Sequence, residues 1–288
     1  MAGRFMSRLR VVVEHFARRG LLCGLVGVLC AAPGAAQTGG CPPQPLNQVA
    51  LRAYRGLVEE HISGVLRAIR LVAASADAQA GRWEGIRPLL DRLSGDLPTD
   101  ATAWLARPDG TYFATEAGGM TEQNLKDRDY FPSLMSGNEV LGALVISKST
   151  GHRSIVIAAP IVASGGVVGA VGVSLRVRLL SALVDEYLPL PQEGYFYALD
   201  RSTRIVIHQK AERMFKTPSD VGDESLGRAF EQVIKNDAGT FEYVLNGQKI
   251  RSIFERSPTL GWYFFIAAAT APRDGAGTSQ MKTDETIG

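Results

Sequence analysis

Residues 140–175 read VLGALVISKSTGHRSIVIAAPIVASGGVVGAVGVSL. Three apolar runs, 139–148, 153–162 and 166–176, are parted by Ser149, Thr150 and Gly151 and then by Ser164, Gly165 and Gly166. Short runs rich in Val and Ile between such punctuation predict consecutive antiparallel strands joined by tight turns. The glycines of GGVVGAVG (165–172) resemble a phosphate-binding loop in composition only. They fall inside an apolar strand, where glycine serves close backbone approach or a bulge.

Upstream, TAWLA (102–106) and TYFATE (111–116) flank Arg107, Pro108, Asp109 and Gly110. Proline fixes φ and glycine frees it, so this is a hairpin turn. KDRDYFPSLMSG (126–137) follows as a loop entering a short helix, 129–136, and the set predicts a five-stranded antiparallel sheet with helices on one side. Downstream, RLLSALVDEYL (178–188) is a helix ended by Pro189 and Pro191. The order hairpin, helix, three strands then recurs: YFYALD (195–200), RIVIHQ (204–209), a helix near 223–236, GTFEYVLN (239–246), QKIRSIFER (248–256) and GWYFFIAA (261–268). Such a repeat predicts an α+β chain of two similar modules, 46–188 and 189–270. Ahead of both, Leu51, Tyr54, Val58, Ile62, Val65, Ile69 and Val72 recur at spacings of three and four. They predict one long amphipathic helix with a single apolar stripe to bury. A second helical stretch spans 83–93, and His61 sits beside the stripe as a half-buried packing residue.

The ends read differently. Residues 1–19 carry Arg4, Arg8, Arg10, Arg18 and Arg19 against one acid, Glu14, and GLLCGLVGVLCAA and PGAAQ follow. A basic region, a short apolar region and small residues predict a secretory signal, 1–36; an uncleaved anchor is the alternative, and a span needs ~20 apolar residues. Without residues 1–36, Lys+Arg falls from 31 to 26 and Asp+Glu from 29 to 28, so the formal charge changes from +2 to −2. That balance, with no basic run interleaved with aromatics, argues against nucleic acid as a partner. Cys23 and Cys30 lie in the signal, leaving Cys41 as a lone thiol in an exported chain. TGGC resembles a lipoprotein cleavage box with Thr38 where Leu is usual, so lipidation at Cys41 is an alternative to a plain secreted protein. Residues 37–45 read as a Pro-rich spacer, and 271–288, polar and Gly-rich, as a disordered tail.

Motifs for catalysis are absent: no HExxH, CxxC or GxSxG occurs, and His61, His152 and His208 are far apart. No cofactor, no metal and no enzymatic activity are expected. The cluster Arg128, Tyr130 and Phe131 has two readings. An arginine can hold a carboxylate through paired hydrogen bonds while aromatics exclude water, with Ser147, Ser149 and Ser174 as neutral partners on nearby strands. Equally, Asp127 or Asp129 could pair with Arg128 to cap the short helix, with Tyr130 in the core.

KDRDYF, SKSTGHRSIVIAAPI and GGVVGAVGVSL together resemble the membrane-distal module of double Cache sensor domains, the extracytoplasmic PAS-like input domains of chemoreceptors and histidine kinases. GTFEYVLNGQKIRSIFERSPTLGWYFFIA resembles the membrane-proximal module, and the helix at 46–75 the family's N-terminal helix. The resemblance implies a small-molecule ligand, an amino acid, amine or carboxylate, in the distal module. It places Arg128, Tyr130 and Phe131 on the family's ligand loop, with Tyr130 where tryptophan is usual. Ser174 falls where the amino-acid-binding branch has an amine-holding aspartate, so a carboxylate or other anion on Arg128 is the expected ligand chemistry.

The expectation is therefore a periplasmic or secreted ligand-binding sensor, working with a separate membrane-bound signalling partner. Its rival is an interaction or scaffold protein with a degenerate pocket, a homodimer through the long helix.

Overall fold

The computed structural model describes residues 48–148, 150–190 and 194–270. The signal segment, the spacer with Cys41, Ser149 and the tail at 271–288 lie outside the described residues. The N-terminal periodicity forms α1 (Gln48–Ala73), followed by α2 (Ala76–Gln79) and α3 (Trp83–Asp96). Ser75 caps α2, its hydroxyl accepting from the Ala78 N–H at 3.2 Å. The strands β1 (Ala101–Ala106), β2 (Thr111–Ala114) and β3 (Gly119–Asn124) precede α4 (Phe131–Met135). The apolar tract becomes β4 (Val140–Ile146), β5 (Arg153–Ala163) and β6 (Gly166–Arg176), and α5 (Val177–Tyr187) follows. The second half supplies β7 (Gly194–Leu199), β8 (Ile205–His208), α6 (Pro218–Val221), α7 (Glu224–Val233), β9 (Ala238–Leu245), β10 (Gln248–Arg256) and β11 (Tyr263–Ala269).

The first sheet runs β3-β2-β1-β6-β5-β4 and the second β8-β7-β11-β10-β9, all pairs antiparallel. Apart from β3, the two orders are the same. The first sheet thus has six strands where five were expected. β3 reads GMTEQN, mostly exposed, and carries no apolar alternation by which an edge strand could be recognised.

Strand alternation divides each sheet into two faces. Ala103, Leu105, Ile155, Ile157, Val171 and Val173 face α1, as do Phe196, Ala198, Phe264 and Ile266 from the second sheet, all in one continuous core. Tyr54 packs against Phe196 and Phe264 at 5.1 and 4.9 Å between ring centres. Gly142, at φ +81°, admits the Trp262 indole against its backbone; a Cβ there would overlap the ring. Ile62 and Val65 are 0% and 2% exposed within this core, so the apolar stripe of α1 is covered by the chain's own sheets.

His208, ending β8, is buried between the second sheet's rings, stacked on Tyr195 at 5.7 Å and on Tyr197 at 5.8 Å. Burial first, then the charges of Arg213 and Lys210, push its pKa down to about 3. The unfolded residue protonates near the ordinary 6.5, so in the window between, the unfolded chain binds more protons and stability falls as pH falls.

Ile62→Asp should unfold the chain, since an unpaired carboxylate in this seam costs several kcal/mol, about 3 or more; a native circular dichroism spectrum with an unchanged melting midpoint would contradict the packing. Between pH 7 and 5, chemical denaturation should register a loss of about 2 kcal/mol from His208. His208→Phe should remove most of that slope, the remainder belonging to His61, whose pKa burial also lowers. An unaltered slope would place His208 in solvent.

Candidate functional site

Opposite α1, the outer face of the first sheet has its own cluster around Trp104, Tyr112, Val156 and Leu134, covered by the loop at 125–130 and by α4. The Pro-Asp-Gly turn positions that loop. Gly110, at φ +85°, sits where any Cβ would overlap the Asn124 side chain. Its carbonyl accepts from the Leu125 N–H at 2.8 Å, and Asn124 Nδ2 donates to the Asp109 carbonyl at 3.1 Å.

Two cations latch the loop to the end of β4. Lys148 Nζ donates to the Asn124 carbonyl at 2.6 Å and pairs with Asp127. This bond, chiefly, lowers the Asp127 pKa. Arg128 Nη2 donates to the Ile146 carbonyl at 2.6 Å. Neither of the two acids offered by the helix-cap reading pairs with Arg128 among the described residues; Asp127 goes to Lys148.

Between loop and sheet lies a cavity open in part to solvent. Arg128, Tyr130, Ser147 and Ser174 line it, four of the six positions expected from the sequence. Phe131 does not: one residue beyond Tyr130, it begins α4 and is buried at 3% exposure in the cluster beneath. Ser149 is outside the described residues. Burial raises the Tyr130 pKa, so its phenol stays protonated as a donor.

Thr102, Trp104, Tyr112 and Lys148 also line the cavity and were not singled out from the sequence. Register explains two of them. Thr102 and Val156 flank Ser174 across three adjacent strands, and Trp104 lies opposite Gly172. The indole occupies the space a side chain at 172 would fill, with Nε1 donating to Ser174 Oγ at 3.3 Å. Alternation along TAWLA would have found Thr102 and Trp104 once β1 was paired with β6. Among the described residues, no Asp or Glu lines the cavity. Its charged groups are cations, and Arg128 uses one of five N–H donors on a neutral carbonyl, which leaves it able to grip an anion.

Two antiparallel sheets of like topology on one helix, with a cavity under a latched loop, define a double-module α+β architecture. The Cache domain model matches residues 49–273, and the chain belongs to that family of ligand-binding sensor domains. Solved structures agree on the fold. The ligand-binding domain of the Pseudomonas aeruginosa amino acid chemoreceptor PctB, in complex with L-Gln, superposes with a TM-score of 0.61 at 20% identity, covering 77% of this chain and 88% of that one. That of Pseudomonas fluorescens CtaA, in complex with L-alanine, gives 0.62 at 19%, covering 78% and 95%. The sensory domain of Campylobacter jejuni Tlp3, with isoleucine bound, gives 0.57 at 16%, covering 77% and 90%. No curated protein sequence matches the chain. Among the described residues, no helix is long and apolar enough to cross a membrane and no group of His, Cys, Asp or Glu is placed to hold a metal ion.

Gly172→Ala should destabilise the chain by about 1–3 kcal/mol, because its methyl competes with the indole for one space. Denaturant titration with tryptophan emission checks this; unchanged stability with unchanged emission would mean that Trp104 does not lie over Gly172.

Proposed function

We propose that the chain is an exported double Cache sensor that binds a small carboxylate-bearing molecule, an amino acid or simple carboxylate, in the first-sheet cavity. The observation that carries this reading is Arg128, a cation at the cavity wall whose hydrogen-bond acceptor among the described residues is a neutral carbonyl. No described Asp or Glu is among the lining residues, and Ser147 and Ser174 supply neutral hydrogen-bonding groups, while the Thr102 hydroxyl donates to Glu116 at 2.8 Å. An amine is the weaker element of recognition, since Ser174 stands where a carboxylate would be needed. Amino acids in the PctB, CtaA and Tlp3 complexes support the ligand class.

In this reading the modules are 46–188 and 189–270, with residues 1–36 as a cleaved signal and Cys41 as the place of a lipid anchor where one is attached. In this reading the output passes through a separate membrane-bound partner. Ligand shifts the loop population by differential affinity: its carboxylate replaces the Ile146 carbonyl as the partner of Arg128 and draws the loop onto the cavity. The homodimer reading draws less support, its apolar stripe being the buried one.

Thermal-shift screening of the full chain against amino acids, small carboxylates and amines tests the proposal. A ligand at 100 times its dissociation constant should add ~2.7 kcal/mol. Arg128→Ala should weaken binding by about tenfold or more. Arg228→Ala, on the exposed face of α7 beside Glu224, should leave it unchanged; equal affinities in the two variants would remove Arg128 from the site.

A further inference from the structure

The second sheet also has an outer face away from α1, and it is built around rings. Tyr197 stacks on Phe265 at 4.7 Å, and Phe230 of α7 meets Tyr197 and Tyr243 edge-on at 6.1 and 5.3 Å. A partly open cavity lies between these rings and the helices α6 and α7, with Leu199, Ile205, Val221 and Leu226 as its apolar walls. Its polar groups gather at His208, Arg213 and the hydroxyls of Tyr195, Tyr197 and Tyr243. The Tyr243 hydroxyl lies 2.8 Å from that of Tyr195 and 3.3 Å from that of Tyr197.

The protonation of His208 follows from its neighbours. The Lys210 backbone N–H donates to Nδ1 at 2.8 Å, so Nδ1 carries the lone pair. The neutral ring, kept neutral by burial, therefore carries its proton on Nε2. Arg213 Nη1 lies 3.4 Å from that same Nε2. Two N–H donors consequently face one another with no acceptor between them. Among the described residues, Arg213 forms no ion pair and no Asp or Glu lines the cavity. Adjacent donors on a buried wall call for a shared acceptor, and the guanidinium favours a negatively charged one.

We infer that this cavity is a second ligand site, for a small monocarboxylate with an apolar body. The carboxylate accepts from His208 Nε2–H and from Arg213, and its hydrocarbon part lies against Leu199, Ile205, Leu226 and Phe230. An ammonium group would find Arg213 and no counter-charge, so amino acids and amines are excluded. The apolar walls exclude inorganic phosphate, which would leave them without a partner. The site is independent of the first-sheet cavity and of what that cavity binds.

Isothermal titration and saturation-transfer NMR of the full chain, with sodium butyrate as the probe and butylammonium and inorganic phosphate as comparators, test this. Butyrate should bind with contacts to its alkyl protons, and both comparators should fail. Arg213→Gln should weaken butyrate by about tenfold or more, and Arg213→Lys, which keeps the charge and loses the planar fork, by less. In Arg128→Ala, which disables the first cavity, butyrate should still bind, and that remaining binding should depend on Arg213. The melting midpoint of each variant reports folding, and Arg213→Lys carries the test where Arg213→Gln unfolds. Silence of the wild type up to about 10 mM, equal binding of butylammonium or phosphate, indifference to both Arg213 variants, or abolition by Arg128→Ala would each overturn the inference.

Discussion

The burial of one helical stripe against two sheets is the contact on which the rest of the structure depends. At ~1.5 Å per residue, the 26 residues of α1 are long enough to pass across both sheets. Tyr54, Val58, Ile62 and Ile69 are completely buried along this seam. Each of these side chains contributes ~1.5–3 kcal/mol when removed from water, and neither sheet offers its inner face any comparable cover. The two halves are therefore joined by a common core, supported by Gly142 under Trp262 and by Arg153 Nη1 donating to the Met214 carbonyl at 3.2 Å. α5 adds a further tie, since Ser181 Oγ donates to the His208 carbonyl at 2.7 Å.

With the inner faces taken by α1, strand parity dictates that every second residue looks outward, and it is there that both cavities form. Their covers differ in kind. The first is a loop held by Lys148 and Arg128 to backbone carbonyls at a strand end. The second is a helical cover with its termini satisfied: Thr217 and Asp220 form a capping box on α6, and Asp223 caps α7 through the Ser225 and Leu226 N–H groups. A loop fastened by a few half-exposed bonds opens at lower free energy than capped helices packed on a ring cluster. The first cavity is thus the one whose cover can respond to an occupant, and the second is the more rigid receptacle.

Much of this was legible in the sequence because it depends on period. Spacings of three and four located α1, and the Val/Ile runs with Gly/Ser breaks located β4 to β6 and their counterparts in the second half. The same logic failed at β3, whose polar GMTEQN earns its place by pairing with β2 alone. At the first cavity, Arg128 and Tyr130, singled out for their chemistry and for the resemblance of their loop, line the wall. Phe131 does not, because the chain enters α4 there, turning adjacent side chains to different surroundings. Lys148 and Trp104 depend on contacts with Asn124, Asp127 and Gly172, none of them near in sequence. Arg213 was invisible for a sharper reason: its meaning lies in which nitrogen of His208 is protonated, and a backbone N–H two residues along the chain decides that.

Several cations elsewhere are matched to acids: Arg55 with Glu255, Arg70 with Glu139, Arg176 with Asp100, Arg204 with Asp200. Arg128 and Arg213 have no such ion pair, and each lies on a cavity wall where no described acid is found. Leaving a half-buried guanidinium without a charge partner forgoes stability in the empty protein, and a carboxylate bound as proposed would restore it. The amount restored differs between the two. Arg128 already holds the Ile146 carbonyl, so a ligand there gains only the difference between a charge-assisted bond and a neutral one, roughly a factor of two in strength. Arg213 faces another donor and gives up nothing. Occupation of the first cavity must accordingly draw on rearrangement of its loop as well as on the ion pair, whereas the second needs only that an acceptor arrive between two donors already in place.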